Sequence, residues 1–211
     1  MMNVKLNSKF PTYQEKVGIS LGCHKDFLAS RKAEFNVGSS LSAALKGFSL
    51  ANDITVSLGF KSSEKEGLLL QNTESSIGAI ELALVDGYVV LTFKDEVWKS
   101  LKSSKQYQDG KWHYLTATRR VSPQSIELRI DEEDVGGQIT SGSFRSNPDS
   151  VFLGKDTFKG CISNLYLRRP DSLYIAEDLS QFSSTGDVLL DMCSADRPPQ
   201  LMLDRNTSRK R

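Results

Sequence analysis

The sequence predicts an all-β fold, a two-sheet antiparallel jelly-roll sandwich, and three observations carry that expectation. Apolar and polar residues alternate with a period of two through several short runs. An Asp-Gly dipeptide separates two of those runs. Turn-forming residues recur about once every ten positions. A sheet with one apolar face must bury it against another layer, which is why many short antiparallel strands imply a sandwich or barrel. The runs leave room for more strands than a seven-stranded immunoglobulin-type sandwich holds, so the jelly roll is preferred.

Residues 54 to 60 set Ile54, Val56, Leu58 and Phe60 against Thr55, Ser57 and Gly59, the pattern of a half-buried strand. Residues 77 to 84 repeat it with Ile80, Leu82 and Leu84. Asp86-Gly87 and the run Tyr88 to Phe93 then follow, as expected for a hairpin with a type I′ turn. Further strands are expected over Trp112 to Arg120, Ser125 to Asp131, Val151 to Gly154 and Cys161 to Arg168. Turns are expected at Asp109-Gly110, Ser122-Pro123, Gly136-Gly137 and Asn147-Pro148. Helix is expected to be minor, with one short turn within Leu173 to Phe182. Trp98 and Trp112 are expected to fill the sandwich interior.

At 211 residues the chain fits one generous all-β domain with tails at both ends. Its 38% hydrophobic content suffices to close a core. The 27 basic and 26 acidic side chains leave a formal net charge of +1, so no global field draws the molecule to nucleic acid. No run approaches the ~20 apolar residues of a membrane helix, so membrane insertion is not expected. The N-terminus lacks the apolar centre of a secretory signal, which makes a secreted form a piece of a longer protein.

Cys23, Cys161 and Cys193 show no zinc-knuckle or redox spacing. Two readings stay open on the residues alone: a Cys161–Cys193 bridge with one cysteine left over, or three reduced thiols. Catalysis needs at least a nucleophile with its base, and the only histidines are His24, beside Cys23, and His113, in a strand beside Trp112. No nucleophile elbow or phosphate loop accompanies them, so a structural role for His113 and no enzymatic activity are expected.

Three segments, in order, carry a resemblance. They are Tyr107-Gln108-Asp109-Gly110-Lys111-Trp112-His113, then Ile126-Glu127-Leu128-Arg129-Ile130-Asp131, then Val151-Phe152-Leu153-Gly154 followed by Phe158-Lys159-Gly160-Cys161-Ile162-Ser163-Asn164-Leu165. Together they resemble the laminin G-like domain, and most of all the third such module of a laminin alpha chain. The resemblance implies a lectin-like (concanavalin-type) sandwich over residues 23–195 and a Cys161–Cys193 disulfide. Residues 1–22 would be the tail of a preceding module whose own cysteine is Cys23, and residues 196–211 a basic spacer holding the glycosylation sequon at Asn206. Ser30 to Phe35 would form the opening strand.

The same resemblance implies a secreted module of the basement-membrane matrix, recognising integrin jointly with adjacent modules and with the laminin beta and gamma chains of the parent protein. An alternative is a heparin- or sulfated-glycan-binding module of another matrix or synaptic protein, with heparan sulfate as partner. Lys155, Lys159, Arg168 and Arg169 are its candidate contacts, beside clusters at Lys99, Lys102 and Lys105 and at Arg119 and Arg120. Many members of the family hold calcium at the sandwich rim. Here Ser75-Ser76 stand where the first carboxylate belongs, so no metal and no cofactor are expected, and the run Asp131 to Asp134 and Asp149 are expected to be solvated turns. A small-ligand carrier would need an apolar pocket between the sheets, which nothing in the sequence marks.

Overall fold

The computed structural model describes residues 29–44, 53–72, 79–94, 99–138, 150–155, 157–168 and 175–193. Its strands are β1 (Lys32–Phe35), β2 (Ser40–Ala44), β3 (Ile54–Lys61), β4 (Gly67–Gln71), β5 (Ala79–Val85), β6 (Tyr88–Lys94), β7 (Lys99–Gln106) and β8 (Trp112–Arg120). There follow β9 (Ser125–Ile130), β10 (Glu133–Gln138), β11 (Ser150–Leu153), β12 (Gly160–Arg168), a 3-10 turn (Leu179–Gln181), β13 (Ser183–Thr185) and β14 (Val188–Leu190). They form two antiparallel seven-stranded sheets. Sheet A runs β10-β9-β8-β3-β12-β1-β14 and sheet B runs β13-β2-β11-β4-β5-β6-β7.

Alternation along the strands decides what lies between the sheets. Ile54, Val56, Leu58 and Phe60 from β3 and Leu115 and Ala117 from β8 meet Leu82 and Leu84 from β5 and Val89, Leu91 and Phe93 from β6, all buried. The Asp86-Gly87 hairpin forms with both residues at positive φ, 57° and 81°, as a type I′ turn requires, and Val85 pairs directly with Tyr88. The short turn expected within Leu173 to Phe182 is the 3-10 turn, opened by Asp178, whose side chain accepts from the Ser180 amide.

Four expectations are corrected by the course and parity of the strands. Trp112 opens β8 on the outward face and is only partly buried, while its neighbour His113 points inward; Trp98 lies outside the described residues. Arg119, expected on the surface with Arg120, is on the inward parity of β8 and only 3% exposed. Gly136-Gly137 is not a turn: both residues lie in β10, paired with Glu127 and Ile126. The run Asp131 to Asp134 is a turn only over Asp131 and Glu132, and Glu133 and Asp134 belong to β10.

Both sides of the sandwich are stitched. Cys161 of β12 reaches across β1 to Cys193, just past β14, in a disulfide with Cα atoms 6.2 Å apart. The incoming chain is tied to the same corner. The Ser30 amide donates to Asp178 (2.9 Å), the Ser30 hydroxyl to Asp191 (2.8 Å) and Lys32 Nζ to the Cys193 carbonyl (2.7 Å). At the opposite side, the edge strands β7 and β10 are joined by side chains.

Candidate functional site

That joint is the most elaborate polar cluster among the described residues. The loop after β7 carries Tyr107, buried at 5% exposure, whose hydroxyl donates to Glu133 Oε2 (2.8 Å). The other oxygen of Glu133 accepts the Ser104 amide of β7, so one carboxylate of sheet A holds both an edge strand of sheet B and the loop that leaves it. Below it, His113 packs edge-on against the Tyr107 ring (4.8 Å between centroids) and near Phe60 (5.6 Å). Its Nδ1 donates to Asp131 Oδ2 and its Nε2 to Asp109 Oδ1, both at 2.8 Å. Asp131 also accepts the Tyr114 amide (2.9 Å) and Asp109 the Lys111 amide (2.9 Å), so both acceptors are fixed by backbone.

Two carboxylates that only accept are both satisfied when both ring nitrogens donate, so the geometry favours the imidazolium form of His113. Burial disfavours that charge, but the bonds to Asp131 and Asp109 outweigh it and raise its pKa above the ordinary 6.5. Burial likewise opposes ionisation of Glu133, yet the bonds from Ser104 and Tyr107 lower its pKa. Burial and the neighbouring Glu133 push the Tyr107 hydroxyl up. Nothing in the cluster resembles a catalytic pair, because no nucleophile faces the ring. The two aspartates grip opposite nitrogens and do not converge on a metal position.

A pH dependence follows with a definite sign. A raised histidine pKa contributes stability that is complete below about 6.5 and is lost as pH rises through the higher folded value. The lowered carboxylates contribute in the opposite sense, fully above their ordinary range and lost as pH falls through their folded values. Urea melts at a series of pH values from about 5 to about 9 are therefore expected to show stability declining on the alkaline side. His113→Gln is expected to flatten that decline. A wild-type profile that rises through this range would show that the cluster is not held by a protonated ring.

The candidate glycan contacts do not form one patch. Lys155 follows β11 and leans over the Phe152 ring, with Nζ 5.3 Å from the centroid. Lys159 precedes β12 and lies 3.9 Å from Glu64. Arg168 closes the same strand, so these two are separated by roughly 25–30 Å at about 3.3 Å per residue. Arg169 and the sequon at Asn206 lie outside the described residues. Arg120 pairs with Glu127 (3.7 Å). Lys99, Lys102 and Lys105 share the edge strand β7, with Lys102 4.0 Å above the Tyr88 ring. Among the described residues no three His, Cys, Asp or Glu side chains gather to hold a metal. Ser75, Ser76, Asp149 and Cys23 are outside them.

Residues 60–169, slightly more than half of the chain, match the family model of the laminin G domain. The chain belongs to the laminin G domain family. The matched span opens on the inward Phe60 of β3 and closes just past β12, so it covers the His113 cluster and Cys161. A laminin G domain is an adhesion module and not an enzyme. Human laminin subunit alpha-3 is 30% identical over 210 residues, covering 99% of this chain and 6% of that subunit. Mouse laminin subunit alpha-4 is 28% identical over 202 residues, covering 90% of the chain and 11% of the subunit. The chain thus spans about a tenth or less of the length of these relatives. Domains LG4-5 of the mouse laminin alpha1 chain superpose with a TM-score of 0.66 at 22% identity, over 81% of this chain and 48% of that one, and so share its fold.

Sequence reasoning gave His113 a structural role but missed its partners. Asp109 was within reach as the carboxylate four residues earlier. Asp131 is distant in sequence and arrives only because β8 and β9 pair so that Leu115 faces Ile130.

Proposed function

We propose that this laminin G module serves cell adhesion in the basement-membrane matrix as part of a laminin alpha chain, contributing to integrin recognition together with neighbouring modules and the laminin beta and gamma chains. The supporting observation is that the likeness to a laminin alpha subunit extends over 99% of the chain, well past the span of the family model on both sides. On this reading residues 23–195 are the module, 1–22 belong to the module before it in a third-position arrangement, and 196–211 are a secreted spacer glycosylated at Asn206. The described surface suits a shared role: the tyrosine, histidine and carboxylates of its best-built cluster are spent on holding the two sheets together.

The test compares binding of purified integrin to this chain alone and to a three-module fragment that includes it. The fragment is expected to bind at least about tenfold more tightly, a difference of roughly 1.4 kcal/mol. Equal binding would remove the shared-site reading, and no binding by the fragment would remove integrin.

A second reading, binding of heparan sulfate, draws on the three lysines of β7 and not on the four residues singled out from the sequence. They place positive charge along one border of sheet B, with Lys102 and Lys105 exposed. The chain is then expected to elute from heparin resin above physiological salt and Lys102→Glu below it. Elution of the unaltered chain below physiological salt would end this reading.

A further inference from the structure

The outward face of sheet A carries a groove of about 510 Å³ over β8, β9 and β10, within the size range of small-ligand sites, roughly 300–1,000 Å³. Its floor is short and hydroxylated, with Thr116 and Thr118 on β8. Its walls are long. Arg129 grips Asp134 through two nitrogens, and Arg120 faces Glu127 at 3.7 Å. The apolar neighbours in the lining, Leu128 and Val135, have inward parity and pack on the core.

At one wall stands Gly136, and the fold gives no reason for a glycine there. Its pairing with Glu127 is regular, without a bulge, and its φ is not positive. A Cβ built on it would meet no atom within 4 Å. Glycine weakens a strand, and in a strand interior it marks a bulge, a bend or a place where something approaches closely. With no bulge and no protein atom near, Gly136 leaves that wall of the groove low and open.

We propose that this groove binds an uncharged oligosaccharide. Two arginines are balanced by two carboxylates, so a sulfated chain would have to displace internal partners, while an apolar peptide finds no outward apolar anchor. Sugar hydroxyls both donate and accept, which matches the guanidinium N–H groups and carboxylate lone pairs that the two ion pairs leave over, beside the Thr118 hydroxyl; the Thr116 hydroxyl is already bonded to Ser57 (2.9 Å). The inference stands apart from the integrin reading, since it concerns a face and a chemistry that reading does not use.

The test is an array of neutral and sulfated oligosaccharides probed with the 211-residue chain and three variants. The unaltered chain is expected on neutral spots, with retention changing less than about twofold between about 0.05 and about 0.5 M salt. Gly136→Ala keeps the groove open and should bind within about twofold. Gly136→Trp fills it from β10 and Thr118→Phe raises its floor from β8, and each should lose at least about tenfold with an unchanged melting temperature. No retention on any neutral oligosaccharide, retention only on sulfated spots and abolished by salt, or full binding by a folded Gly136→Trp would each overturn the proposal.

Discussion

Gly160→Ala is expected to cost about 3–5 kcal/mol of folding stability, one of the largest effects of any single substitution in the molecule. Gly160 opens β12 at φ 146°, and an added Cβ would lie 2.2 Å from the Lys61 carbonyl oxygen. That oxygen belongs to the backbone of β3, which is locked on its other side to β8, so relief requires moving β12 off the centre of sheet A. Two penalties add: a left-handed backbone imposed on a residue with a side chain, and overlap with an atom that cannot rotate away. Gly38→Ala is the control. It has φ 84° but nothing within 4 Å of the added carbon, so it carries only the first penalty, about 1 kcal/mol. Urea unfolding with an unchanged m-value reads both. A Gly160→Ala midpoint no lower than that of Gly38→Ala would show that β12 yields more easily than its ladder implies.

Removing the disulfide by the double substitution Cys161→Ser with Cys193→Ser is expected to cost about 3–4 kcal/mol, from the loop entropy of a link spanning 32 positions. The loss should be local before it is global. β14 has three residues, one neighbour and an exposed Leu189, so its hold on β1 depends on the anchor at Cys193. Amide exchange over Val188–Leu190 is expected to accelerate by orders of magnitude, while β5 and β6 keep protection close to that of the global transition. Uniform acceleration through both sheets would mean that the link stabilises the sandwich only as a whole.

What the sequence made legible follows from where apolar residues are needed. β3, β5, β6, β8 and β9 each supply inward apolar side chains at every second position, and β12 supplies them on either side of a register shift, at Ile162 and then at Leu165 and Leu167, so alternation reveals them. The strands it passed over lack that signature for identifiable reasons. β7 reads Lys-Ser-Leu-Lys-Ser-Ser-Lys-Gln because it is an edge, where lysine discourages stray pairing and only Leu101 and Ser103 turn inward. β4 is an unbroken apolar run because its register shifts between Leu68 and Leu70. β10 hides behind Gly136-Gly137, a pair that signals a turn unless a neighbouring strand is known to bind it. At the candidate sites the limit is different. The bonds of Glu133 and His113 join residues that composition leaves looking like solvent-exposed charge, and only the pairing of β8, β9 and β10 with the approach of β7 brings them together.

The tie between the incoming chain and the disulfide corner governs how the module behaves under tension. A pull applied at Ser30 and at Cys193 acts on positions linked within hydrogen-bonding range through Asp191 and Lys32. From Cys193 the sulfur link passes the load straight to Cys161, which faces Glu34 across the β1–β12 ladder. The segment between the two cysteines is shunted out of the force path, and the far halves of both sheets, with the His113 cluster, lie beyond it. Such a module transmits stretch along one border while its remaining faces keep their shape.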